Sequence, residues 1–88
     1  MYLHAGNNKI IREKDIIGIF DMDNATMRPD TRAFLKRKQS ENRLDISRQE
    51  IPKSFILYQK NKKDKSSVCI SQLSTIALCN RIRKDETV

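Results

Sequence analysis

The sequence predicts an α+β fold: a small, mostly antiparallel β-sheet with a barrel-like core of about five strands, one central helix and a short C-terminal helix. Three observations predict it. Short runs rich in β-branched and aromatic residues recur at 2–5, 9–13, 15–21, 53–59 and 66–71. Turn-forming or basic polar residues separate the first two runs, at Gly6-Asn7-Asn8, and the last two, at 60–65, so each pair reads as a hairpin. No strand–helix–strand repeat of the kind that builds a parallel sheet is present, and the element order is βββαββα.

Tyr2-Leu3-His4-Ala5 opens the first strand and Lys9-Ile10-Ile11-Arg12-Glu13 returns it. The third strand, Asp15-Ile16-Ile17-Gly18-Ile19-Phe20-Asp21, carries apolar residues on both faces, which predicts a central strand covered on each side. Thr26 or Asn24 can cap the next helix, Pro29 suits its first turn and Asp30 complements its positive end, predicting a helix over 29–41. Its apolar content is thin (Ala33, Phe34, Leu35). Arg28, Arg32 and Lys36, spaced by four, form a basic stripe that reads as a solvated face. Residues 42–52 are polar and turn-like, with Leu44 and Ile46 as anchors for a short strand. Residues 53–59 and 66–71 pair across the basic loop, and Ser74 or Thr75 then starts the last helix. There Leu78 and Ile82 stand four apart, while Arg81, Arg83 and Lys84 load the C-terminal end, where the dipole favours cations. A single domain is expected over 1–84, followed by a short, acidic, disordered tail at 85–88.

Eighty-eight residues bury only a modest core, and chains of this size often gain stability by associating. The net charge is +7 and unevenly placed: residues 1–31 hold four Lys/Arg against five Asp/Glu, residues 32–84 fourteen against four. A polyanion suits such a surface. Candidate contacts are Arg43, Arg48 and Lys53, which precede one strand, and the loop residues Lys60, Lys62, Lys63 and Lys65. Solubility is the plain alternative for each, and a Lys-rich hairpin tip also guards a sheet edge. Tyr2, Phe20, Phe34, Phe55 and Tyr58 all fall at core-like positions, so no base-stacking platform is expected. Cys69 and Cys79, ten apart with no C-x-x-C, read as small buried thiols of a reducing cytosol; no zinc site, metal or cofactor is expected. Met1 leads directly into polar residues, so no leader is expected, and the apolar runs fall far short of the ~20 residues of a membrane span. The expected location is the cytoplasm.

The stretch GIFDMDNAT, 18–26, is similar to the Asp-x-Asp-x-Thr nucleophile motif of haloacid-dehalogenase-type phosphatases. Its fifth position is Ala25, with the threonine one place late at Thr26. That chemistry also needs distant acidic residues for magnesium and a doubly wound domain larger than this chain. Asp21 and Asp23 are therefore expected to close a strand and cap a helix. His4 has no partner at a catalytic spacing, and Gly6 and Gly18 form no phosphate-cradling loop. No catalytic residue, enzymatic activity or small-molecule substrate is expected.

Several of these segments taken together resemble the Rem family of bacterial extracellular-matrix (biofilm) gene regulators. They are Met1-Tyr2-Leu3-His4-Ala5-Gly6, the strand at 15–21, Phe34-Leu35-Lys36 within 31–38, Pro52-Lys53-Ser54-Phe55-Ile56, and Ser71-Gln72-Leu73-Ser74 with Leu78. The likeness spans about residues 1–84 and is strongest to the RemB type, which is related to RemA. It implies a non-enzymatic, nucleoid-associated transcription regulator that binds duplex DNA with low sequence specificity per subunit. The RemA type forms a closed ring of identical subunits, so a ring-like homo-oligomer is implied as well, with phosphate contacts repeated around it. RemA-type arginines before the fourth strand are associated with DNA. The matching stretch here is Glu50-Ile51-Pro52-Lys53, where Lys53 keeps the charge and Arg48 is nearby; a further RemA-type arginine falls near Lys14-Asp15. The alternatives are a protein-interaction or assembly module with a basic face, or a small RNA-binding domain.

Overall fold

The computed structural model describes residues 1–6, 9–45 and 51–86. Its elements are β1 (Tyr2–Gly6), β2 (Lys9–Arg12), a 3₁₀ turn (Glu13–Asp15), β3 (Ile16–Asp21), α1 (Met22–Ala25), α2 (Pro29–Ser40), β4 (Leu44–Asp45), β5 (Ser54–Tyr58), β6 (Ser67–Ser71) and α3 (Thr75–Glu86). The α+β class and the main βββαββα order are as expected, and the short strand anchored at Leu44 is present as the two-residue β4; the one-turn α1 is added. The turn residues Asn7 and Asn8 and the anchor Ile46 lie outside the described residues.

Among the described residues the strands do not close a barrel. β1 and β2 form an antiparallel ribbon, and the other four form a separate sheet in the order β3-β5-β6-β4, antiparallel except for β4 against β6. The three-residue 3₁₀ turn redirects the chain between the two. The ribbon then lies across one face of the sheet, so Leu3, Ala5 and Ile11 bury against Ile56, Tyr58, Cys69 and the α3 residue Leu78. α2 covers part of the opposite face, near β4 and β6.

β3 is an edge strand, contrary to the expectation of a central one. A bulge between Ile16 and Gly18 lets Ile16 pair with Tyr58 and Gly18 with Leu57, which leaves Ile17 unpaired and exposed. Phe20 returns over its own strand: a Cβ on Gly18 would meet its ring at 2.8 Å, and the ring stacks on Phe55 with centroids 5.1 Å apart.

Caps and turns place the helices. Asp21 Oδ2 accepts from the Asn24 amide at 2.9 Å, so Asp21 is the N-cap of α1. Asn24 and Thr26 thus belong to α1 and do not cap α2, whose N-cap is Arg28 with Pro29 in the first turn. Asn42 (φ 58°) ends α2 in the left-handed region: its amide bonds the Gln39 carbonyl, and the Arg43 amide bonds that of Lys38 at 2.8 Å. This paired pattern, a Schellman cap, turns the chain into β4. Ser74 Oγ accepts from the Ala77 amide and starts α3, which runs on through Glu86 and so takes in the first two residues of the acidic tail. Arg28, Arg32 and Lys36 are exposed, as a solvated stripe requires, whereas Lys38 is buried beneath the Phe34 ring and paired with Glu41 at 3.5 Å. Cys69 is buried, but Cys79 is exposed, because α3 turns Leu78 inward and the next residue out.

A polar joint ties the ribbon to the sheet. Ser71 Oγ donates to the Ala5 carbonyl at 2.6 Å and accepts from the Leu73 amide at 3.0 Å; Ser54, its cross-strand partner, donates to the Leu73 carbonyl at 2.6 Å. Both serines are fully buried. Ser71→Ala leaves the Ala5 carbonyl buried without this donor and should lower stability by about 1–3 kcal/mol. Urea unfolding checks it; a midpoint equal to that of the parent protein would refute the joint's role.

Candidate nucleic-acid interface

The basic side chains gather where β5 ends. Tyr58 is its last residue, buried, with the Lys9 ammonium of β2 above its ring at 5.5 Å from the centroid. On one side of Tyr58 is a cleft of about 320 Å³ lined by Lys9, Ile10, Arg12, Asp15 and Lys60. On the other is a cleft of about 260 Å³ lined by Arg43, Lys60, Asp64, Lys65 and Ser67. Tyr58 and Lys60 line both, so the two clefts adjoin, with three cations to one carboxylate in each. Such an excess in a concave site concentrates positive potential.

Four of the five cations have an anchor: Lys9 over the Tyr58 ring, Lys65 on Glu41, and Arg12 and Arg43 as follows. Arg12 Nε donates to Asp15 Oδ2 at 2.8 Å, and its Nη2 reaches Oδ1 at 3.3 Å. Arg43 is positioned by the Schellman cap and donates to the Lys65 carbonyl at 3.3 Å. Asn61 Oδ1 accepts from the amides of Lys63 and Asp64, the Asn61 amide group donates to Asp64 Oδ2 at 2.8 Å, and Gln59 donates to the Asp64 carbonyl. This turn fixes the lysine-bearing loop from within.

Of the residues singled out in the sequence, Arg43, Lys60 and Lys65 meet in this depression, while Lys62 and Lys63 are exposed at the adjoining loop tip. Lys53 does not join them: it precedes β5 at its other end, roughly 17 Å from Tyr58 at strand rise, beside the Asp21–Met22 corner. Arg48 lies outside the described residues. Lys9 and Arg12 were missed, because residues 1–31 show no positive excess as a segment. Their signal lay in the return strand Lys9-Ile10-Ile11-Arg12, whose ends bring two cations to β5 once the ribbon folds across the sheet. Nor do all aromatics sit in the core: Phe55 and Tyr58 do, but Tyr2 and Phe20 are exposed.

No family model matches the chain. Over 61 residues it is 34% identical to extracellular matrix regulatory protein B of Bacillus subtilis (strain 168), an overlap covering 69% of this chain and 72% of that protein. The chain belongs to that protein's family, the RemB-like proteins. Among the described residues, no helix is long and apolar enough to cross a membrane.

Glu41 is the acidic counterweight at the rim. Its Oε2 accepts from the Lys65 ammonium at 3.0 Å, and Lys38 stands 3.5 Å from Oε1. The Lys65 hydrogen bond, reinforced by the charges of Lys38 and Lys65 and opposed by partial burial, holds the Glu41 carboxyl below its ordinary value of 4.5. A depressed carboxyl stabilises the fold at pH values above its unfolded pKa, and this contribution fades as pH falls from 4.5 through the lower folded value. Glu41→Gln should therefore flatten the stability profile in that acidic window, measured as Tm against pH. An unchanged acid limb would refute the pairing.

Proposed function

We propose that this chain is a non-enzymatic, DNA-binding transcriptional regulator of extracellular-matrix genes, acting in the cytoplasm at the nucleoid and binding duplex DNA through the basic depression around Tyr58. The observation that carries this reading is the convergence of Lys9, Arg12, Arg43, Lys60 and Lys65, from separate segments of the chain, on two adjoining clefts that share Tyr58 and Lys60. Membership in the family of a protein named as an extracellular matrix regulator supports the regulatory part. Phosphate neutralisation explains why cations rather than a catalytic set fill the depression.

Self-association, in a ring-like homo-oligomer, completes the proposal. One subunit offers few phosphate contacts, and repetition multiplies them without new chemistry. Support comes from the opposite side of the sheet. There an open cleft of about 290 Å³ is lined by Phe20, Ala25, Thr31, Phe34, Phe55 and Leu57, next to the free β3 edge with its exposed Ile17.

Duplex binding by the wild type should weaken steeply with salt. The double variant Lys60→Ala/Lys65→Ala should lower the slope of log K against log[salt] by about 1–2, near 0.9 for each phosphate no longer neutralised. A slope and affinity equal to wild type would overturn the assignment of the depression. Light scattering, with and without a duplex of about 30 base pairs (about three helical turns), tests assembly. Phe20→Glu should reduce the solution mass to that of the single chain, and a monomeric wild type would refute association through that cleft.

A further inference from the structure

The two faces of the β1–β2 ribbon differ in kind. In its register Tyr2 faces Arg12, Leu3 faces Ile11 and His4 faces Ile10, and directly opposed residues point to the same side. Leu3, Ala5 and Ile11 are the inner set and are buried. On the outer set, His4 is exposed, and Tyr2 and Ile10 keep 59% and 52% of their surface open. A tyrosine, an imidazole and a branched aliphatic thus share one largely exposed face. Tyrosine and histidine both donate and accept hydrogen bonds, and isoleucine presents an apolar surface.

Cations border this face along both edges. On the β1 side, Arg81 of α3 donates to the His4 carbonyl at 2.7 Å and is itself exposed. On the β2 side are Lys9 and Lys60, in the cleft that also contains Ile10. Asp15 draws the Arg12 guanidinium toward that same cleft. The arrangement is a ribbon with a hydrogen-bonding and apolar outer face, set between two cationic rims.

Resting on the duplex-DNA reading above, we propose that the ribbon enters the major groove, where Tyr2, His4 and Ile10 read base edges, while Arg81 on one rim and Lys9 with Lys60 on the other take phosphates of the two strands. The major groove, about 12 Å wide, admits a two-stranded ribbon, whose strands lie about 5 Å apart. Each base pair presents a distinct set of donors, acceptors and methyl groups there. Ile10 suits a thymine methyl and His4 a purine N7 or O6. The major groove of A-form RNA is too deep and narrow for such a ribbon, so the geometry selects DNA.

The experiment uses the full chain and a random-sequence duplex library of about 30 base pairs (about three turns). Sequences selected by wild type are then titrated against unselected ones at several salt concentrations, with wild type, His4→Ala/Ile10→Ala and Lys60→Ala/Lys65→Ala. Both substituted ribbon residues are exposed, so the fold should survive; Tyr2→Phe, which removes one hydroxyl, serves as a second probe. The ribbon double variant should keep the wild-type salt slope but lose its preference for selected over unselected duplexes by about tenfold or more. The lysine variant should weaken binding to every sequence alike. If the ribbon variant loses affinity equally for all sequences or keeps full selectivity, or if wild type enriches no sequence, the ribbon assignment falls while the DNA reading stands. If wild type binds no duplex at low salt, or structured RNA displaces the duplex, the DNA reading itself falls.

Discussion

The position of the ribbon depends on one buried hydroxyl. Between the ribbon and the four-stranded sheet the packing is otherwise largely apolar, with Leu3, Ala5 and Ile11 on Ile56, Tyr58 and Cys69. Apolar burial is strong but has no direction, so alone it would tolerate sliding. The Ser71 hydroxyl, held between the Ala5 carbonyl and the Leu73 amide, has direction and tolerates none. Through Leu73 and Ser54 the same joint fixes the corner from β6 into α3, and hence Arg81 beside β1. The rims on either side of the ribbon owe their spacing to this small polar cluster in the core.

Like charges at the end of β5 repel, and the fold answers with local counterions rather than by dispersing them. Asp15 holds Arg12, Asp64 closes the turn that carries the lysines, and Glu41 binds Lys65 while facing the buried Lys38. These acids fix the geometry without cancelling the excess, since cations still lead by three to one in each part of the depression. A polyanion binding there would meet pre-arranged charges, so less ordering entropy is lost on binding.

What the sequence made legible was local. The hairpins, the strand-to-helix corner at Asp21 and the start of α3 at Ser74 each rest on residues within a few positions of one another. What it hid was long-range. Apolar residues on both faces of β3 suggested coverage on both sides. Yet Ile17 is set outward by a bulge and Phe20 packs across Gly18 onto Phe55, at an open edge. The same limit concealed Lys9 and Arg12. Their partner Lys60 is about fifty positions away in the chain, and only the crossing of ribbon over sheet brings them together.

The two ends of β5 differ in charge, and that difference would decide between two placements of the proposed duplex. At the Lys53 end the chain runs into the acidic corner of Asp21 and Asp23, with Asp30 in the lining of the largely apolar cleft. A phosphate chain there would face carboxylates for each cation it gained. At the Tyr58 end it would meet Lys9, Arg43, Lys60 and Lys65, with the exposed face of the ribbon alongside. Coulomb attraction is screened over about 10 Å at ordinary ionic strength, so the two ends, roughly 17 Å apart, act largely independently. Positive charge stands at one end of the strand and apolar surface with carboxylates at the other. Subunits could therefore associate through the second while leaving the first open to DNA.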